Sequence, residues 1–186
     1  MKAAVYQGMQ LIVVDELPVP VPGPGEILVR IGYSAICGTD VHAFLYDIAP
    51  PGSVMGHEFS GLVVDKGAGV GDEIKIGDRV TGEPSVYICG QCDYCLSEHY
   101  NLCPDRKVMG YYHDGCFAPY FNTTFVHKLP ESVGFEAGAL TELLACCVHS
   151  VIEQAGVGFR FGTERHQQGG ITTIIQNHVR CAAVLP

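Results

Sequence analysis

The sequence is poor in positive charge and has no long apolar run. It carries 11 Lys and Arg against 20 Asp and Glu, which gives a formal net charge of −9. A nucleic-acid-binding surface needs a basic face, so this charge argues against nucleic acid as a partner. No apolar run approaches the roughly 18 residues of a membrane span, and the N-terminus turns polar before a signal-like stretch develops. We therefore expect a cytoplasmic protein with no nucleic-acid or membrane partner.

The chain also lacks internal repeats and is low in charge of either sign. Charged residues make up 17% of the 186 residues and apolar residues 47%, so a packed core is expected and disorder is not. This length suits one substantial domain. The 23 Gly and 11 Pro indicate many turns.

Short strand-like runs separated by Gly and Pro dominate the first 128 residues, a pattern typical of a β-barrel or sandwich. We predict strands at residues 2–6, 10–14, 26–36, 58–64, 78–82, 117–121 and 124–128. A short helix is predicted at residues 38–45, with Thr39 or Asp40 near its start. Apolar residues at helical spacing predict a second helix at residues 141–154, which Gly156 would end.

Nine cysteines in a cytoplasmic chain argue against a disulfide framework. Four of them fall within fifteen residues, at Cys89, Cys92, Cys95 and Cys103. Thiolates this close along the chain can converge on one ion, and four of them complete the tetrahedral shell of a closed zinc site. We interpret residues 89–103, the four-cysteine loop, as a structural zinc site.

An iron–sulfur cluster is the alternative interpretation of the same cysteines. Bacterial ferredoxins place a Pro after the last cysteine of a related run, and Pro104 follows Cys103 here. However, seven residues separate Cys95 from Cys103 instead of three, and there is no second cysteine run. The pattern therefore favours zinc over a cluster.

A second set of candidate ligands precedes the loop. Cys37 and His57 are ligand types that suit zinc, and a carboxylate could complete a site with three protein ligands. A site with three protein ligands leaves a position open for substrate, which is typical of catalytic zinc.

Residues 1–156 resemble the zinc-dependent medium-chain alcohol dehydrogenases and their GroES-like catalytic domain. The resemblance depends on the order and spacing of five segments: Cys37-Gly38-Thr39-Asp40-Val41-His42, Gly56-His57-Glu58, Gly77-Asp78-Arg79-Val80, the four-cysteine loop and Thr141-Glu142-Leu143-Leu144. It implies a β-rich α+β fold, a GroES-like partly open β-barrel with a structural zinc lobe and few helices.

The resemblance also implies two zinc ions per chain and a division of roles. Cys37 and His57 would bind the catalytic zinc, with Glu142 as third ligand in the branch that oxidises polyols and threonine. Glu58 could coordinate transiently, and the four-cysteine loop would hold the structural zinc. The implied substrate is a small alcohol or polyol, with homo-oligomer formation left open.

The resemblance implies that three further residues assist the reaction. Zinc acts as a Lewis acid that lowers the pKa of an alcohol, and Thr39 could then carry away its proton. His42 could pass that proton to solvent, and Asp40 could fix the tautomer of His57. A helix cap for Thr39 and an exposed helix position for His42 are the plain alternatives. In a complete enzyme the hydride goes to NAD or NADP.

The C-terminal segment 156–186 departs from this pattern. It carries three basic residues and one acidic residue, whereas residues 1–155 carry 8 and 19. Its glycines follow no hydrophobic strand, so the Gly-x-Gly-x-x-Gly fingerprint of a doubly wound nucleotide-binding domain is missing. Only a short strand at residues 171–175 is predicted. We expect no complete Rossmann domain here and a truncated or out-of-frame segment after residue 155.

Two functions follow as expectations. The chain is either the zinc-binding catalytic domain of an alcohol or polyol dehydrogenase, inactive in isolation, or a non-enzymatic zinc-binding module or assembly partner derived from that family.

Overall fold

The computed structural model describes residues 1–149 and the two-residue strand Ala182–Ala183. The end of the predicted helix 141–154, its stop at Gly156 and the predicted strand 171–175 lie outside these residues. The described elements are, in chain order, β1 Lys2–Gly8, β2 Leu11–Glu16, β3 Ile27–Cys37, α1 Gly38–Tyr46, β4 Glu58–Lys66, β5 Arg79–Gly82, β6 Ser85–Tyr87, α2 Asp93–Leu96, β7 Lys107–Val108, β8 Tyr120–Thr123, β9 Val126–Lys128, α3 Phe135–Ala139, α4 Thr141–Val148 and β10 Ala182–Ala183. A single 3₁₀ turn, Tyr100–Leu102, lies between α2 and β7.

Strand β3 is the centre of the main antiparallel sheet. It pairs with β4 along its length, and β8 and β10 pair with it on the other side. The order β10–β3–β4–β5–β9 does not close into a ring within the described residues, and β1 and β2 form a separate hairpin. The predicted β-rich, partly open fold with few helices is confirmed.

The largest cluster of buried apolar side chains packs against this sheet. Phe59 of β4 and Phe121 of β8 meet edge to face with ring centroids 4.7 Å apart. The surrounding buried side chains are mostly aliphatic: Ile27, Val29, Val63, Val80, Val86 and Met109. Their burial removes apolar area from water and stabilises the packing of β3, β4, β5 and β8.

The helices are short, and none in the described part of the chain is long and apolar enough to cross a bilayer. Helix α3 is fixed to the sheet, because Ser60 donates a hydrogen bond to the carbonyl of Phe135 and the Arg79 guanidinium lies 4.6 Å from the Phe135 ring centroid. Helix α4 follows α3 after one residue, so this contact determines where α4 meets the sheet.

The strand predicted at residues 117–121 begins later, at Tyr120. Pro119 has no N–H to donate to a sheet, and the backbone N–H of Phe117 donates instead to the carbonyl of Met55 in a loop. The β6–β7 pair and helices α2 and α3 were not predicted. Elements of two to five residues are too short for a periodic pattern to reveal.

Candidate metal centres

The four sulfur atoms of the four-cysteine loop converge. The ligand atoms of Cys89, Cys92, Cys95 and Cys103 all lie within 4.8 Å of one another, and the sulfurs of Cys89 and Cys95 are 3.9 Å apart. Zn–S bonds of about 2.3 Å in a tetrahedron need sulfurs roughly 3.8 Å apart. The loop therefore has the ligand arrangement of a closed tetrahedral zinc site.

Backbone amides of the loop point at the sulfurs. The N–H groups of Cys92 and Cys89 donate to the sulfurs of Cys89 and Cys103, each at 3.4 Å. Hydrogen bonds from Gln91 and Cys92 lower the pKa of the Cys89 thiol to about 7, whereas desolvation and the neighbouring thiols raise the pKa of Cys95 to about 12. A cation among the sulfurs would offset the repulsion between thiolates, so metal binding should release protons.

Cys37, His57 and Glu58 form the second group of ligand atoms within 4.8 Å of one another, and all three residues are buried. The register of the sheet brings them together. Ala35 of β3 pairs with Glu58 at the start of β4, so Cys37, the last residue of β3, comes close to His57, the residue before β4. Residues 20 positions apart in sequence thus share one small volume.

Asp40 connects two members of this group. One carboxylate oxygen accepts a hydrogen bond from the backbone N–H of Cys37 at 2.9 Å, and the other lies 3.4 Å from His57 Nδ1. Cys37 is also the N-cap of α1 and Asp40 its third residue, so the two form a capping box. The start of the helix therefore fixes both side chains relative to His57.

The proton on His57 is held by its neighbours. Desolvation alone would lower its pKa, but Asp40 and Cys37 outweigh it and hold the pKa well above the ordinary value. Opposite charge next to a buried imidazole favours the charged form. A metal ion would take the place of this proton as the cation between the thiolate and the carboxylates.

Two buried carboxyl groups face each other at the edge of this group. Desolvation, and then the charge of Glu142, raises the pKa of Glu58 to about 7. Desolvation also raises the pKa of Glu142, which accepts a hydrogen bond from the Cys146 thiol at 3.3 Å, one helical turn along α4. Glu142 lies against Glu58 and is not a member of the group within 4.8 Å. The structure thus groups Glu58 with Cys37 and His57, whereas the family resemblance predicts Glu142 as the third ligand and Glu58 as a transient one.

Thr39 and His42 lie on α1 at different depths. The Cys37 thiol donates to the Thr39 hydroxyl at 3.5 Å, so this hydroxyl is next to a candidate ligand. His42, one turn later, is exposed and its ring centroid lies 5.7 Å from that of Tyr46. A hydroxyl near the ligands and an imidazole at the surface are the two ends that a proton relay needs.

Two residues near this group were missed by the sequence analysis. Tyr111 donates a hydrogen bond to the carbonyl of Thr39 at 2.9 Å, and desolvation together with Asp40 and Cys37 raises its pKa. The buried thiol of Cys116 donates to the backbone carbonyl of Glu58 at 3.4 Å. Neither belongs to a recognisable motif, and only the chain path brings them to the site.

The chemistry of this group fits a zinc ion. Within the described residues, both carboxylate oxygens of Glu58 are buried without a hydrogen-bond partner. Buried polar atoms without partners are costly and often indicate an ion. A thiol, an imidazole and carboxylates are also the ligand types of catalytic zinc.

Three dehydrogenases are similar in sequence to this chain. D-arabitol-phosphate dehydrogenase of Enterococcus avium is 42% identical over 75% of this chain and 41% of its own length. Sorbitol dehydrogenase of Halalkalibacterium halodurans is 41% identical over 81% of this chain and 45% of its own. L-threonine 3-dehydrogenase of Pyrococcus abyssi is 38% identical over 82% of this chain and 44% of its own length. The chain therefore spans less than half the length of these relatives.

Two solved structures of dehydrogenases have a similar fold. A protein of Sinorhizobium meliloti 1021 described as a zinc-binding dehydrogenase and bound to NADP superimposes with a TM-score of 0.75 at 36% identity, over 81% of this chain and 44% of that one. Galactitol-1-phosphate dehydrogenase of Escherichia coli superimposes with a TM-score of 0.75 at 31% identity, over 81% of this chain and 44% of that one. Residues 23–131 match the model of the alcohol dehydrogenase GroES-like domain. The chain belongs to the family of alcohol dehydrogenases with a GroES-like domain, as its sequence motifs indicate.

Proposed function

We propose that this chain is the zinc-binding catalytic domain of an alcohol or polyol dehydrogenase. In a complete enzyme it would oxidise a secondary alcohol by hydride transfer to NAD or NADP. The observation that carries this proposal is the buried group of Cys37, His57 and Glu58, with Asp40 bridging two of its members. The group supplies three ligands, which leaves a position for substrate.

Different residues of the chain have different proposed roles in this reaction. Cys37, His57 and Glu58 or Glu142 hold the ion, which when bound supplies Lewis acidity toward an alcohol oxygen. Asp40 holds His57 in the orientation that leaves one ring nitrogen free to bind. Thr39 would accept the alcohol proton at its hydroxyl oxygen as its own hydroxyl proton leaves toward His42, which would pass a proton to solvent from its exposed position on α1.

The proposed substrate is a secondary alcohol or a polyol, and its cofactor is NAD or NADP. The names of the three relatives support this class, because a sugar-alcohol phosphate, sorbitol and threonine all carry a secondary hydroxyl group. The proposed role of the four-cysteine loop is structural, because four thiolates leave no position for substrate.

Cobalt(II) substitution tests the open site without needing a cofactor. We expect sorbitol, 2,3-butanediol or threonine to change the visible cobalt spectrum of the wild-type chain, and the change to be lost in Cys37→Ser. Cys95→Ser is the matched control, because it removes a thiolate of the closed site and should leave the response to alcohol intact. A wild-type spectrum that no alcohol alters would contradict the proposed function.

The alternative is a zinc-binding module without enzymatic activity. The observation that favours it is that the sequence of residues 156–186 has no hydrophobic stretch followed by Gly-x-Gly-x-x-Gly. Because no such turn holds the pyrophosphate, we expect the chain alone to show no saturable NAD(H) binding by calorimetry and no NAD(P)-dependent oxidation of these alcohols. Turnover that disappears in Cys37→Ser would contradict the predicted inactivity and exclude the non-enzymatic module.

A further inference from the structure

Glu83 is a buried carboxylate outside both candidate metal centres. It follows β5 and its side chain is only 4% exposed. Its backbone N–H donates to the carbonyl of Phe125 at 3.0 Å, so its position relative to β9 is fixed. A buried carboxylate is tolerated only where it is paired and hydrogen-bonded.

The partners of Glu83 come from two different parts of the molecule. The hydroxyl of Tyr100 donates to its two carboxylate oxygens, at 3.1 and 3.2 Å. His127 of β9 places Nε2 3.1 Å from one of them. Tyr100 belongs to the four-cysteine loop, whereas His127 belongs to the main sheet. Glu83 therefore joins the loop to the sheet.

Tyr100 is directly connected to a candidate ligand. The backbone N–H of Cys103 donates to the carbonyl of Tyr100 at 3.0 Å, within the 3₁₀ turn. The Tyr100 ring stacks on Phe125 with centroids 6.3 Å apart and planes 15° from parallel. The side chain of Tyr100 thus sets the place of the turn that carries Cys103.

Arg106 provides positive charge near the same carboxylate. Its Nε donates to the hydroxyl of Ser85 at 2.7 Å. This hydrogen bond joins the segment that follows the four-cysteine loop to strand β6, which precedes the loop. Desolvation lowers the pKa of Arg106, while the charges of Glu83 and Glu142 oppose that change. Strand β6 is held further by the Thr124 hydroxyl, which donates to the carbonyl of Val86 at 2.9 Å.

We propose that Glu83 is a positioning residue for the four-cysteine centre. Acting through the hydroxyl of Tyr100, it holds the turn that carries Cys103 in the arrangement that binds the ion. The inference rests on the proposed zinc binding of the loop. Partners that orient ligands from outside the coordination shell typically contribute a factor of roughly 10–100 to metal affinity.

Zinc affinity of the loop tests the proposal in the full chain. The background is Cys37→Ser, so that the four-cysteine loop is the remaining tight site. Competition with a chromogenic chelator should show affinity lowered roughly 10- to 100-fold by Glu83→Gln. Tyr100→Phe, which removes only the hydroxyl, should act in the same direction. Glu98→Gln is the matched control, because Glu98 is an exposed acid of the same loop and should bind zinc normally.

Two further readouts separate positioning from general stability. If Glu83 acts through Tyr100, the double variant Glu83→Gln/Tyr100→Phe should bind zinc no more weakly than the weaker single variant. Hydrogen exchange should become faster at the amides of Cys92 and Cys103 and stay unchanged in β3 and β4. Additive losses, or faster exchange throughout the sheet, would overturn the proposal.

The two proposals fail in different ways. A loop that takes up no zinc in the Glu83-containing parent would contradict the structural metal site itself. A parent that binds zinc, with Glu83→Gln and Tyr100→Phe binding it within twofold of the parent, would overturn the role of Glu83 and leave the metal site standing.

Discussion

Among single residues, Asp40 has the most direct influence on the candidate catalytic ligands. It is 4% exposed and contacts the backbone of Cys37 and the ring of His57. We expect Asp40→Asn to lower the zinc affinity of the Cys37 and His57 site by roughly 10- to 100-fold, since an amide orients the imidazole less strongly than a carboxylate. Asp72→Asn, at a fully exposed position, is the control and should have no effect. Equal affinity in a competition titration would contradict this role.

Glu58 gives the metal-free protein a predictable dependence on pH. Its pKa is about 7 in the folded chain and near 4.5 when unfolded, so the folded state binds the proton more tightly. The stability from this group is present below pH 4.5 and is lost as the pH rises toward 7. The metal-free protein should therefore be less stable at pH 7 than at pH 4.5 as far as this group is concerned.

We expect Glu58→Gln to flatten this part of the profile. Urea unfolding of the chelator-treated protein should show the variant gaining stability over the wild type between pH 4.5 and 7. Glu131→Gln changes an exposed carboxyl and serves as the control. A difference that stays constant with pH would show that Glu58 ionises normally in the fold.

How much the sequence reveals differs between these residues. The cysteine spacing predicts the four-cysteine loop by itself, because its ligands are close along the chain. The grouping of Cys37, His57 and Glu142 in one site was predicted from the family resemblance. Their proximity in space depends on the pairing of β3 with β4 and on the position of α4 against the sheet. The contact between Glu83 and His127 could not be predicted, because 44 residues separate them and neither belongs to a metal-binding or catalytic pattern.

At the level of elements, the segment before β4 decides where His57 lies. Gly56 has a φ of +92°, and a Cβ at this position would lie 2.4 Å from a ring carbon of Phe117. The carbonyl of Gly56 also accepts a hydrogen bond from Cys116 at 3.0 Å. A larger residue must strain the backbone or displace Phe117.

We expect Gly56→Ala to lower the free energy of unfolding by about 2 kcal/mol or more, from overpacking and backbone strain together. It should also weaken zinc binding at Cys37 and His57 more than at the four-cysteine loop. Gly134→Ala is the control, because a Cβ there meets nothing within 4 Å. Equal unfolding free energies in urea for Gly56→Ala and wild type would contradict this account.

Predictability also differs between elements. The long strands β3 and β4 and helix α1 were predicted within one or two residues, because each has a clear apolar or capping pattern. The β6–β7 pair was not predicted. Its two short strands lie before and after the four-cysteine loop and come together only because the loop reverses the direction of the chain. Long-range pairing of such short segments leaves no periodic signal.

For the whole molecule, we propose two metal centres of different kinds in one sheet-based domain. The four-cysteine loop has hardly any buried apolar side chains, so binding of the ion should contribute directly to its folding. The Cys37 and His57 site lies between β3, α1 and β4, which are joined by the backbone pairing of β3 with β4 and by the capping box of α1.

Counting zinc in matched variants tests this division most directly. Elemental analysis of protein purified without added metal should give close to two zinc and negligible iron for the wild type, and one zinc for Cys37→Ala and for Cys95→Ala. Only Cys95→Ala should lose stability and become susceptible to proteolysis within the loop. Stoichiometric iron and sulfide, or equal loss of stability in both variants, would contradict the account.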